Sequence, residues 1–216
     1  MNANGKKRIR FIFFSSLLLT IVLAAIAPGM IAEAKPKMDA QAFHDAMRKL
    51  WEDHITWTRM VIISMFADLP DQGPTVQRLL QNQDDIGDAI KPFYGDAAGE
   101  QLSALLRDHI LIAAEILQAA KNGDATALED ATARWYENAD DIAEFLNSAN
   151  PENWPLEEMK IMMREHLDLT LKEAVAYLNG DYAASIAFYD QVHIQALEMA
   201  DMLSEGIIRQ FPNKFK

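Results

Sequence analysis

The sequence predicts an all-α protein, a helical bundle of about six helices built as three repeated helical hairpins. Ala, Leu, Met, Glu and Gln dominate the chain after residue 34, and apolar residues recur there at spacings of three and four. No alternating apolar–polar run is flanked by hairpin-turn residues, so no sheet is predicted. Short segments rich in Gly, Pro, Asn and Asp divide the helical sequence into pieces of similar length.

These dividing segments set the expected helix ends. They read LPDQGP, YGDAAG, NGD, NSANPENWP and a second NGD, and residues of these types end one helix or cap the next. The predicted helices cover about 39–67, 74–92, 99–121, 125–147, 155–178 and 182–209. Paired in order, they form repeats near 40–93, 99–147 and 155–210 within a single domain, residues 35–216.

The first 34 residues differ in kind from the rest. A basic stretch at 6–10 precedes an apolar run over 11–27, and Ala-Glu-Ala at 32–34 offers a small-x-small cleavage pattern. This layout predicts a secretory signal peptide over 1–34. An apolar run of 17 residues also fits an N-terminal membrane anchor, which is the alternative. Both predict an extracytoplasmic protein, secreted or held in the cell envelope, and no other stretch is apolar enough to cross a bilayer.

Composition excludes several classes of protein. The chain has 20 Lys and Arg against 32 Asp and Glu, and residues 35–216 alone have 16 against 31, a net charge of −15. Such an acidic protein lacks the basic surface that nucleic-acid binding requires. Without cysteine there is no disulfide, thiolate nucleophile or cysteine-bound metal. No phosphate loop, nucleophile elbow or HExxH motif is found, so nothing in the sequence favours an enzyme.

Two patterns recur with a common period of 55 to 57 residues, which indicates an internal repeat. Odd-numbered helices carry an acid–His–aliphatic triplet around His54, His109 and His166. Even-numbered helices carry an amide followed three residues later by an acid, in the pairs Asn82/Asp85, Asn138/Asp141 and Gln195/Glu198. In an antiparallel hairpin, each histidine is then level with its amide, and the acid lies about one turn away. We therefore expect one polar layer across the bundle.

Two hypotheses explain this layer. The first is a site for zinc, copper, iron or manganese, because helical bundles hold transition metals with imidazoles and carboxylates from facing helices. Its candidate ligands are His54, His109, His166, Asp85, Asp141, Glu198 and Glu173. The alternative is a structural layer, in which amides satisfy buried imidazoles and fix the helix register of a non-enzymatic envelope protein. The expected partner is accordingly a metal ion or another envelope protein.

Several stretches resemble a group of exported bacterial all-helical proteins without established function. They are WEDHITWTR, RLLQNQDDIGDAIKPFYG, LLRDHI, RWYENADDIAEFL and the ending GIIRQFPNKF. The resemblance spans nearly all of residues 35–216 and implies export and the same helical fold. Some members of the group carry the label acetylglutamate kinase or glycosyltransferase. No residue here supports either label, because an amino-acid kinase needs an α/β sheet and Gly-rich phosphate contacts.

Overall fold

The computed structural model describes residues 37–216. They form six α-helices: α1 (Ala40–Phe66), α2 (Gln72–Tyr94), α3 (Asp96–Asn122), α4 (Ala125–Ala149), α5 (Leu156–Leu178) and α6 (Tyr182–Gln210), followed by a 3-10 turn at Pro212–Lys214. The predicted all-α fold is confirmed. The predicted signal peptide over 1–34 lies outside the described residues. Among the helices described, none combines the length and apolar character needed to span a membrane.

The helix ends agree with the prediction to within three residues. The largest difference lies between the first and second hairpins, where the expected break over 94–99 is reduced to Gly95. Gly95 has φ +88°, a conformation that glycine adopts without steric cost. Asp96 then begins α3, since a carboxylate is favoured at the positive end of a helix.

The two NGD sequences each connect the helices of one hairpin. Gly123 and Gly180 adopt positive φ values of 68° and 77° after α3 and α5. The next residue, Asp124 or Asp181, caps the following helix by accepting a hydrogen bond from a backbone N–H three residues later. Each NGD therefore both ends one helix and starts the next.

The six helices close into a ring. Each helix packs against its neighbours in sequence, α1 packs against α6, and α1 also contacts α3 and α5 across the interior. The ends of the described chain support this closure, because Met38 and Phe215 form a short parallel bridge with Met38 N–H donating to Lys214 O at 2.8 Å. This packing agrees with three hairpins arranged around a common centre.

The repeat extends into the hydrophobic core. Residues three and seven positions before each histidine, and four and eight positions after each amide, are buried in all three units. They are Trp51, Leu106, Met163, Met47, Leu102, Met159, Ile86, Ile142, Met199, Ile90, Leu146 and Leu203. Ten of these twelve side chains line one apolar void of about 20 Å³.

The loop between α4 and α5 is anchored against α6. Trp154 is 1% exposed, and its indole N–H donates to Met202 O at 3.3 Å. Asn150 donates from Nδ2 to Gly206 O at 3.0 Å. Position 206 has to be small, because a Cβ atom there would lie 2.2 Å from Trp154 Nε1.

Candidate functional site: the histidine layer

Three histidines of the repeat are buried inside the ring. His54 on α1, His109 on α3 and His166 on α5 are 3–4% exposed. The rings of His54 and His166 are 5.9 Å apart, centroid to centroid. These three side chains and the amides that contact them are called the histidine layer below.

The second and third hairpins hold their histidines in the same way. His109 Nδ1 lies 2.8 Å from Asn138 Oδ1, and Asn138 Nδ2 donates to Leu105 O at 3.1 Å. His166 Nδ1 lies 3.0 Å from Gln195 Oε1, and Gln195 Nε2 donates to Met162 O at 3.1 Å. Because the amide N–H points to a carbonyl, the amide oxygen faces the ring and accepts from Nδ1–H. Nε2 then carries the imidazole lone pair.

The first hairpin differs from this pattern. Asn82 Nδ2 donates to Leu50 O at 3.0 Å, as the repeat requires, but the amide nitrogen that lies 3.2 Å from His54 Nδ1 belongs to Gln83. Gln83 is fully buried, and the other two repeats have Ala139 and Ala196 at this position. The extra amide therefore inserts beside His54, where the sequence predicted contact with Asn82 alone.

Burial controls the charge of the layer. Loss of solvation lowers the pKa of His54 to about 3, and the proximity of His166 and His109 lowers it further. Burial also lowers the pKa of His109 to about 3, against its bond to Asn138. The pKa of His166 is lowered for the same reason. All three imidazoles are consequently neutral near pH 7.

Three of the predicted carboxylate ligands lie on the outer surface of the ring. Asp141 and Glu198 are exposed, and Asp85 is half-buried beside Arg78 and Gln81. Over residues 37–216, no group of three or more His, Asp or Glu side chains is close enough to hold a metal ion. The structure thus brings the histidines together and separates them from these three acids.

Glu173, the fourth predicted carboxylate, is buried in a different setting. It lies seven residues after His166, where the other repeats have Val61 and Ile116. Its carboxylate accepts a hydrogen bond from Arg59 Nη1 at 2.7 Å, which ties α5 to α1. Burial raises the pKa of Glu173 to about 7, while Arg59 acts in the opposite direction. Glu173 therefore interrupts the apolar repeat with an ion pair.

Sequence reasoning missed two residues that contact the histidines, Gln83 and Trp135, and one that pairs with Glu173, Arg59. Gln83 could have been found as a polar residue at a position that is alanine in both other repeats. Trp135 donates from Nε1 to His109 O at 3.0 Å and stacks on the His109 ring. The sequence around Arg59 does not indicate its role, because its partner Glu173 lies 114 residues away in sequence.

Comparison with known proteins provides no assignment. No family model matches the chain, and no curated protein or solved structure is significantly similar to it.

Proposed function

We propose that this protein is a non-enzymatic extracytoplasmic interaction protein, and that its histidine layer sets the register of the three hairpins. One observation carries the proposal: in the second and third repeats, the imidazole binds an amide of its own hairpin, and that amide binds the carbonyl four residues before the histidine. Sliding one helix by a turn would break both bonds and leave buried polar atoms unpaired.

The surroundings of the layer support a structural role. An apolar void lies among the residues that precede the histidines, and no nucleophilic side chain bonds to the imidazoles within residues 37–216. The polar side-chain atoms of the layer form hydrogen bonds that join the two helices of each hairpin. The acidic groups of the repeat lie on the outer surface, where a partner protein would meet them.

The proposal is tested by changing one histidine of the layer and one outside it. His109→Asn should reduce the free energy of unfolding by roughly 1 kcal/mol, the value of a typical buried hydrogen bond. His193→Asn, which alters a half-exposed histidine on α6, is the matched control and should leave stability unchanged. Elemental analysis of both variants and of the parent protein should show the same background metal content.

Transition-metal binding at the layer is the second candidate. It is favoured by the Nδ1–H···O=C bonds of His109 and His166, because metal-binding histidines usually donate the N–H of the non-ligating nitrogen to an oxygen. It predicts stoichiometric zinc, copper, iron or manganese in protein purified from its native compartment, lost in His109→Asn. That result would replace the register proposal with the metal-site proposal.

A further inference from the structure

The outer surface of the third hairpin carries more exposed apolar side chains than the same surface of the second. Four of them lie on either side of the NGD turn at 179–181 and are 38–58% exposed: Val175, Leu178, Tyr182 and Ile186. At the equivalent positions, counted from the histidine and the amide of each repeat, the second hairpin has Gln118, Lys121, Ala125 and Glu129. Exposed apolar side chains that gather in one place are typical of an interaction surface.

A groove between α5 and α6 lies on this surface. It has a volume of about 470 Å³, and Leu171, Val175 and Phe188 provide its apolar lining. Leu171 and Phe188 are half-buried, so part of each side chain is available to a partner. We call this groove the α5/α6 groove.

In the second hairpin, charged side chains line the equivalent groove. Most of the residues that line the two grooves occupy equivalent positions. Arg134 forms ion pairs there with Glu115 on α3 and with Asp130 on α4. The third hairpin has at these three positions Gln191, Lys172 and Ala187. Glutamine, lysine and alanine cannot form that network, so the apolar lining of the α5/α6 groove is left in contact with solvent.

Two charged residues of opposite sign lie on the same surface. Lys172 on α5 and Asp190 on α6 are exposed, and within residues 37–216 neither takes part in an ion pair. Between residues 182 and 194, Asp190 is the one formally charged residue of α6, whereas the equivalent part of α4, residues 125–137, has four. Acidic groups are therefore scarce on this surface, although residues 35–216 have a net charge of −15.

These residues form three level pairs across the hairpin. Residues at equal distances from the turn between two antiparallel helices lie side by side, because both helices rise by the same amount per residue. With the turn at 179–181, the level pairs are Leu178 with Tyr182, Val175 with Ile186, and Lys172 with Asp190. We call these six side chains the α5/α6 face.

A twofold axis makes the α5/α6 face complementary to itself. An axis that runs parallel to the helices, between α5 and α6, keeps the height of every residue and exchanges the two helices. Each Lys172 then lies opposite the partner's Asp190, and each Val175 lies opposite the partner's Ile186. The apolar linings of the two grooves meet at the axis, as in the centre of a four-helix bundle. Apolar side chains are thus matched with apolar side chains, and each cation is matched with an acid.

We propose that two copies of this protein bind each other through the α5/α6 face, around this twofold axis. The charges select a second copy as the partner, since each copy supplies both the lysine and the aspartate that the other requires. Contact between copies through their acidic surfaces brings like charges together, which opposes association there. This inference rests on the proposed interaction function and identifies the partner.

Sedimentation velocity over a range of protein concentrations tests the association, with protein purified from its native compartment. The protein should sediment as a dimer that dissociates on dilution. Ile186→Glu should weaken the dimer by about ten-fold or more, because it buries a charge against the partner's Val175. Leu111→Glu adds the same charge at an exposed leucine on α3. It is the matched control and should leave the dimer unchanged.

An exchange of charges makes the test specific for the twofold arrangement. Lys172→Glu alone and Asp190→Lys alone should each weaken the dimer, because each places like charges opposite one another. An equimolar mixture of these two variants should recover the dimer, since one copy of each restores both oppositely charged pairs. The substituted side chains are all exposed, and circular dichroism with the thermal midpoint establishes that each variant remains folded.

Several outcomes would overturn the inference. One is a protein that remains monomeric up to about 1 mM. Others are a dimer that Ile186→Glu leaves intact and a mixture of the two charge variants that stays monomeric, because either result excludes this face or this axis. A monomer that binds neutral phosphatidylcholine vesicles, and loses this binding in Ile186→Glu, would indicate a lipid-contacting face instead. None of these results alters the register proposal, which is decided by the stability and metal content of His109→Asn.

Discussion

Acidification should unfold this protein through its histidine layer. The pKa of His54 and of His109 is about 3 in the folded protein, against the ordinary value of 6.5. Between these values the unfolded chain binds more protons than the folded one, so stability is full above pH 6.5 and falls as the pH decreases toward 3. At about pH 4.5 each of these two histidines has removed roughly 3 kcal/mol. Their sum is comparable to the whole stability of a typical domain.

Urea unfolding followed by circular dichroism, from about pH 7 down to about pH 4.5, measures this effect. The parent protein should lose stability progressively as the pH falls. His109→Asn removes one titrating group, so the slope of unfolding free energy against pH should decrease by about 1 kcal/mol per pH unit. His193→Asn, which changes a half-exposed histidine outside the layer, is the control substitution.

Two results would refute this reasoning. One is a stability that stays level between about pH 6.5 and pH 4.5, which would mean that protonated imidazoles are tolerated inside the ring. The other is an unchanged slope in His109→Asn, which would assign the acid sensitivity to different groups. Both are read from the same unfolding curves, provided that the variant retains the parent helical spectrum.

Two further changes test individual contacts. Gly206→Ala should lower the free energy of unfolding by about 1–3 kcal/mol, because the new Cβ would overlap the indole of Trp154. Gly73→Ala is the control, because no atom lies within 4 Å of a new Cβ there. It should raise the free energy of unfolding by up to about 1 kcal/mol. Thermal midpoints distinguish these outcomes, and equal effects at both glycines would contradict the overlap. Glu173 has a pKa raised to about 7, so its folded form binds the extra proton and its contribution to stability is lost as the pH rises through 7. Glu173→Gln should therefore make unfolding free energy rise more steeply with pH between about 4.5 and 7, by about 1 kcal/mol per unit, and an unchanged pH profile would show that Arg59 keeps the carboxylate ionised.

Much of the fold could be predicted because its signals are local. The NGD turns, the helical spacing of apolar residues and the repeated His and amide positions predicted six helices, their ends and the level of the layer. The contact of His54 with Gln83 was not predicted, because only the packed interior shows which of two adjacent amides reaches the ring.

The carboxylates show the limit of the same reasoning. The sequence placed Asp85 and Asp141 about one helical turn from the layer. The position of a residue along a helix does not determine the direction in which its side chain points. The packed ring turns them outward, because burying an unpaired carboxylate costs several kcal/mol. Glu173 is buried, but its carboxylate is paired with Arg59, which lies on a helix more than 100 residues away in sequence.

The sequence by itself determined the helical fold, the repeat and the polar layer, because turn chemistry, helix periodicity and composition act over a few residues. Only the tertiary structure decided the partners of the polar side chains. It paired each histidine with an amide of its own hairpin, closed α1 against α6, and placed Asp141 and Glu198 on the outer surface. These outcomes depend on which side chains are available as partners in the packed structure: Arg134 pairs with Glu115 and Asp130, whereas Arg78, at the same place in the first repeat, lies 3.9 Å from Asp53 and Asp85.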